Sequence, residues 1–153
     1  MKSYNKLVTI LLADDDPEDC LLVQEALQES RLANELNVVK DGEELLDYLY
    51  CRGKYTKLIH SPLPGLILLD LNMPKKDGRE ALKEIKAVPN LRCIPIVVLT
   101  TSKAEEDIYY TYDLGVSSYI TKPVTFESLV DIMKALAIYW FEIVKLPSKK
   151  RED

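Results

Sequence analysis

Histidine occurs once in this sequence, at position 60, in a proline-flanked loop beside Ser61. With no acid placed to orient it, a Ser–His–acid hydrolase triad has no support. Cysteine occurs three times (Cys20, Cys51, Cys93), widely spaced and with no C-x-x-C pair. An odd, scattered set argues against a disulfide scaffold and for a reducing compartment. Zinc sites of the Cys/His type are missing for the same reason. Cys20 falls inside an apolar helical pattern and Cys93 just before a strand, so both read as buried or half-buried small hydrophobes. No uncharged apolar run approaches the length of a membrane span. Residues 1–6 lack the charged-then-apolar pattern of a signal peptide. The expectation is a cytoplasmic domain away from the membrane. Positive charge is also scarce: 20 Lys and Arg stand against 25 Asp and Glu, for a net charge of −5. Nucleic acid is therefore not an expected partner, since such binding rests on neutralising phosphates. The one basic run, Lys149-Lys150-Arg151, reads as part of a short polar tail over 146–153.

What the chain does have is a regular alternation of apolar and amphipathic stretches. Its 153 residues fit one domain, with a core over about 7–145 and no linker, repeat or low-complexity segment. Three short apolar runs stop abruptly at polar residues: Leu7–Ala13 at acids, Leu66–Leu69 at Asp70, and Ile94–Leu99 at Thr100. Such runs predict strands buried on both faces, with Val38-Val39 and Tyr119-Ile120 as two weaker ones. Helical patterns lie between them, at Pro17 onward, Glu43–Leu49, Arg79–Ala87, Lys103–Leu114 and Phe126–Val144, and Gly115 stands where a C-cap glycine belongs. Strands alternating with helices imply parallel βαβ units in an open, doubly wound α/β sheet with five of each element. The one long connection, Cys51 to Gly65, is expected to be functional or mobile.

In an open parallel sheet, ligands bind beyond the carboxyl ends of the strands. The residues falling there are Asp14, Asp15 and Asp16, then Asp70 and Asn72, then Thr100, Thr101 and Ser102, then Lys122 and Pro123. Carboxylates crowded into one crevice raise each other's pKa, and a hard cation such as Mg²⁺ relieves this while retaining waters and a phosphate. A lysine and a threonine hydroxyl in the same crevice would stabilise an incoming phosphoryl group, and an aspartate can itself accept it. Asp16, before Pro17, reads instead as a helix N-cap.

The motifs Leu-Leu-Ala-Asp-Asp-Asp at 11–16, Leu-Leu-Asp-Leu-Asn-Met-Pro-Lys-Lys-Asp-Gly at 68–78, Val-Leu-Thr-Thr-Ser at 98–102 and Tyr-Ile-Thr-Lys-Pro at 119–123 stand in this order. Together they closely resemble the response-regulator receiver family over Leu7 to Val144. The resemblance implies a flavodoxin-like (βα)5 fold with strand order 2-1-3-4-5, helices on both faces and no enzyme activity on a substrate of its own. It implies that Asp70 accepts a phosphoryl group from a histidine kinase. Asp15 would then be a direct Mg²⁺ ligand, Asp14 an acid acting through metal-bound water, and Asn72 a ligand through its backbone carbonyl. Thr100 would be the switch hydroxyl, Lys122 the partner of the phosphoryl oxygen, and Tyr119 the aromatic switch. Pro123 would follow a cis bond. Gly78 is expected to supply a backbone conformation that a side chain would resist; Met73 reads either as core or as surface near the switch.

Two features resemble the small regulators paired with cyanobacterial-type phytochrome kinases: the 51–65 connection and a last helix carrying Ile138-Tyr139-Trp140-Phe141 and Ile143-Val144. That helix is apolar on more sides than one domain can cover, and Trp140, Phe141 and Val144 suit a homodimer interface. The alternative is that the 51–65 connection folds over the surplus. With no DNA-binding domain following the core, output through protein contact or phosphate relay is expected. Two rival readings are an aspartyl-phosphate hydrolase, for which the chain has no cap domain, and a scaffolding or dimerisation module with a vestigial site.

Overall fold

The computed structural model describes residues 8–31, 33–122, 125–136 and 139. Five parallel strands form one sheet: β1 (Ile10–Ala13), β2 (Leu36–Val39), β3 (Leu66–Leu69), β4 (Ile96–Thr100) and β5 (Ser118–Thr121), in the order 2-1-3-4-5. The helices are α1 (Pro17–Glu29), α2 (Gly42–Tyr50), α3 (Gly78–Ala87), α4 (Glu105–Leu114) and α5 (Phe126–Leu136). This is the expected doubly wound arrangement. In-register pairing aligns Ala13 with Leu69, so the acids that follow, Asp14 and Asp70, leave neighbouring strands side by side.

The two-residue strand period divides the core. Leu11, Ala13, Ile67, Leu69, Ile96 and Val98 face α2 and α3, in a layer with Leu45, Leu46, Leu82 and Ile85. Ile10, Leu12, Leu66, Leu68, Val97 and Leu99 face α1 and α5, with Val23, Ala26, Leu129 and Met133. Both faces of the central strands are covered, which is why their sequences run apolar without alternation. The edge strands β2 and β5 are only half-buried along most of their length, so their apolar signal is shorter than the strands themselves.

Local chemistry sets most boundaries. Asp16 caps α1 by accepting from the Glu18 amide, and Pro17 opens the helix. Asp77 and Glu80 form a reciprocal capping box on α3. Gly115 ends α4 in the left-handed conformation, φ 103°. α4 begins at Glu105 rather than Lys103, because Ser102 Oγ first accepts from the Ala104 amide in a turn. β4 begins at Ile96 rather than Ile94, and Cys93 is exposed, which corrects its reading as a buried or half-buried residue. Met73 is core, 8% exposed among the α2/α3 layer.

The 51–65 connection is not an irregular loop. It contains a 3₁₀ helix, Gly53–His60, whose Tyr55 and Leu58 pack on the α2/α3 layer. The Tyr55 hydroxyl donates to Glu44 on α2, and the Tyr48 and Tyr55 ring centroids lie 5.1 Å apart. That places it on the opposite face from α5, so it does not cover the described part of that helix. On α5, Val130 is buried, and its carbonyl accepts from Ser30 Oγ at 3.3 Å. Trp140, Phe141, Val144 and Pro123 lie outside the described residues, as do 1–7 and 140–153.

Gly78 is required for space rather than for an unusual backbone. A Cβ there would stand 2.4 Å from the Asp70 carbonyl oxygen and 2.7 Å from Leu71 Cα. The left-handed residue of this turn is Lys75, φ 64°. Gly78→Ala should lower unfolding stability by about 1–3 kcal/mol through overpacking against the strand end, read from urea denaturation. An unchanged midpoint would show that the turn relaxes freely.

Candidate functional site

Four strand ends converge on one crevice. Asp14 follows β1, Asp70 follows β3, Thr100 ends β4 and Lys122 follows β5. Asp14 is 1% exposed; its Oδ1 accepts from the Asp16 amide at 2.9 Å and its Oδ2 from Lys122 Nζ at 2.7 Å. Asp70 is also buried, and its Oδ1 accepts from the Thr100 hydroxyl at 2.7 Å and from the Asn72 amide at 3.2 Å. Its Oδ2 stands 3.5 Å from Lys122 Nζ. Asp15 sits exposed at the mouth, and Asp14, Asp15 and Asp70 each offer an oxygen within 4.8 Å of the others.

Burial raises the Asp14 pKa above the ordinary carboxylate value, although hydrogen bonds from Lys122 and the Asp16 amide pull it back. Burial alone would lower the Lys122 pKa, but the carboxylates of Asp14 and Asp19 reverse this and hold the ammonium charged. Three clustered acids beside one buried cation fit a hard divalent ion: carboxylate oxygens within reach of one another and a raised carboxylate pKa that a cation would relieve. Behind Asp14, Cys20 is pushed up to about 11, by burial first and by the Asp14 charge second. Its thiol is therefore inert near neutrality.

Tyr119, Ser102 and Asn72 extend the site toward α4. The Tyr119 hydroxyl donates to the Ser102 carbonyl at 3.0 Å, and Ser102 Oγ donates to Asp107 Oδ2 at 2.6 Å. Asn72 Nδ2 donates to Thr101 Oγ1 at 3.3 Å, so the turns after β3 and β4 touch directly.

Three charged residues of the network escaped the sequence reading. Asp19 accepts from Lys122 Nζ at 2.7 Å. Its position in the first turn of a helix that opens at the crevice was an available signal, because first-turn side chains lean back toward the helix start. Arg79 on α3 pairs with Asp107 on α4 through two bonds, Nε to Oδ1 at 2.7 Å and Nη2 to Oδ2 at 2.6 Å. The same guanidinium reaches Asp77 Oδ2 at 2.8 Å and Asn72 Oδ1 at 3.5 Å. Nothing in the sequence brings 79 and 107 together until α3 and α4 are known to be neighbours.

With this geometry in hand, the family assignment is direct: the chain belongs to the response regulator receiver domain family, whose description matches residues 10–134. Among its relatives is Response regulator Rcp1 of Synechocystis sp., 45% identical over 139 residues, 91% of this chain and 92% of that one. The Mn²⁺-bound form of Rcp1 superposes with a TM-score of 0.80 at 45% identity, covering 92% of this chain and 99% of that one. The phosphorylated cyanobacterial phytochrome response regulator RcpA gives 0.84 at 45% identity, covering 94% and 100%. Among the described residues no helix is long and apolar enough to cross a membrane.

The Arg79–Asp107 pair has a pH signature. Hydrogen bonding from Arg79 holds the Asp107 carboxyl down at about 2, against an ordinary 3.8, with Ser102 adding to the effect. A depressed folded-state pKa contributes stability above the unfolded value and loses it as pH falls through the folded one. Urea midpoints measured in steps from pH 5 to pH 2 should therefore fall less steeply for Asp107→Asn than for the parent chain. Parallel curves would show that the pair contributes nothing to folding.

Proposed function

We propose that this chain is a phosphoryl acceptor in a two-component relay, with Asp70 as the residue modified. A carboxylate oxygen of Asp70 attacks phosphorus while the bond to the donor breaks; the donor is a histidine kinase's phosphoimidazole, or acetyl phosphate, which leaves as acetate. The carrying observation is Asp70 itself, buried at a strand end with Oδ1 fixed by Thr100 and Asn72 and Oδ2 left facing Lys122. In this reading Asp14, Asp15, Asp70 and the Asn72 backbone would hold Mg²⁺, which supplies positive charge to the transferring group's oxygens. Mn²⁺ in the Rcp1 relative supports a divalent ion at this kind of site. Lys122 supplies a second cation, and Thr100 a hydroxyl able to leave Asp70 for a phosphoryl oxygen. Tyr119, tied through Ser102 to Asp107 and Arg79, reports that movement to α4, which shifts between two pre-existing arrangements.

The kinase is taken to be of phytochrome type, because the cyanobacterial phytochrome response regulator RcpA matches over nearly the whole chain. The whole of 1–153 is read as one cytoplasmic receiver domain with a core over about 7–145, acting on no small-molecule substrate of its own and binding no nucleic acid. Copies pair through the segment containing Trp140, Phe141 and Val144, a choice supported by its surplus of apolar and aromatic residues. A scaffolding module with a vestigial site is the weaker reading, since a buried acid, hydroxyl and ammonium in mutual contact are costly to keep without use.

Acetyl phosphate with Mg²⁺, followed by native mass spectrometry, tests this. One added phosphoryl group is expected, absent in Asp70→Asn and absent when Mg²⁺ is chelated, and the same spectra show whether dimer content rises with modification and falls in Trp140→Ala. No modification under any condition would overturn the acceptor assignment.

A further inference from the structure

We propose that Asp19 is a positioning residue for phosphoryl transfer: from the first turn of α1 it holds the Lys122 ammonium in place while the other carboxylates around that ammonium change partners. The proposal rests on the acceptor reading above and adds to it a residue outside the metal-binding acids.

An ammonium has three N–H donors and no acceptor. Lys122 directs them at Asp14 Oδ2 (2.7 Å), Asp19 Oδ2 (2.7 Å) and Asp70 Oδ2 (3.5 Å). Two of these three acceptors are committed elsewhere during the reaction. Asp14 belongs to the trio of acids able to hold a cation, and Asp70 gives up an oxygen to the incoming phosphorus. Asp19 is in neither group. It is the one acceptor whose oxygen can stay on Lys122 before, during and after transfer.

Its own placement is firm. Asp19 lies in a helix turn fixed by the Asp16 cap and by Pro17, where a negative side chain is favoured by the helix N-terminus. The Lys122 side chain is 9% exposed and that of Asp19 is 31% exposed, so Asp19 grips the ammonium from the rim of the crevice while Asp14 holds it from within. Without the rim contact, a long flexible lysine would be left with acceptors that metal and phosphoryl group both contest. It would then spend less time where a phosphoryl oxygen needs it. The hydrogen-bond count also excludes simple competition, because one N–H can turn to a phosphoryl oxygen without leaving Asp19.

The test is a double-mutant cycle on the rate of phosphorylation by acetyl phosphate at saturating Mg²⁺, with Asp19→Ala, Lys122→Ala and both together, each compared with the parent chain. Asp19→Ala should slow modification on the order of tenfold, less than the roughly hundredfold that a 1 Å misplacement of a reacting group can cost, because Asp14 still holds the ammonium. The Mg²⁺ concentration for half-maximal rate should stay close to the parent's, since Asp19 is not a ligand. Asp19→Asn, which keeps one acceptor oxygen, should recover most of the rate. In the Lys122→Ala background, removing Asp19 should cost nothing further. An unchanged rate in Asp19→Ala, or the same fold-loss in both backgrounds, would overturn the proposal. A parent chain that takes no phosphoryl group at all would instead overturn the acceptor reading beneath it.

Discussion

Lys122 carries a charge into a place that is 8% exposed, and it can do so because Asp14, Asp19 and Asp70 surround its ammonium. The dependence runs both ways. Two of those acids are themselves buried, and burying a carboxylate without a counter-charge costs several kcal/mol, on the order of what a small domain's whole fold is worth. The sheet supplies the geometry: parallel strands in register bring Asp14 and Asp70 out at the same level, and β5 delivers Lys122 opposite them. The cluster is an electrostatic knot centred on one cation: removing Lys122 alone leaves the buried carboxylates of Asp14 and Asp70 without their counter-charge. A site built this way is poised for ligands that bring both signs, a divalent cation for the acids and a phosphoryl group for the lysine.

The same knot is tied to the rest of the surface through short polar contacts. Thr100 holds Asp70, and the next residues of that turn, Thr101 and Ser102, meet Asn72 and Tyr119. Ser102 and Arg79 then converge on Asp107, so the start of α4 is fixed to the start of α3 and to the turn after β4 by polar bonds and charge. Among the residues of α4 only Thr111 is buried. A helix held mainly at one end by polar bonds, with little apolar anchorage along its length, can shift at small cost when those bonds are rearranged.

Much of this was legible in the sequence, for a definite reason. Central strands of a parallel sheet read as apolar blocks, and the first polar residue after each block is a site residue almost by construction; Asp14, Asp70 and Thr100 were visible that way. Lys122 follows a half-buried edge strand, and the motif around it supplied what the apolar pattern lacked. Asp19 was hidden because a helix residue carries no comparable mark, and Arg79 and Asp107 because their meeting depends on which helices are neighbours. The 3₁₀ helix at Gly53–His60 has no buried stripe to announce it, since it buries none of its residues fully. Gly78 was rightly singled out and wrongly explained: flexibility and lack of bulk look the same in a sequence, and only the 2.4 Å approach to Asp70 separates them.

The measurement that bears most directly on this account is the unfolding stability of Lys122→Met in chelator and in Mg²⁺, beside the parent chain. If the ammonium is the counter-charge of the buried acids, the variant unfolds at lower urea in chelator, and Mg²⁺ returns more stability to it than to the parent, because the cation takes over the neutralising role. Equal midpoints for the two chains in chelator would contradict the claim that Lys122 holds the acidic crevice together.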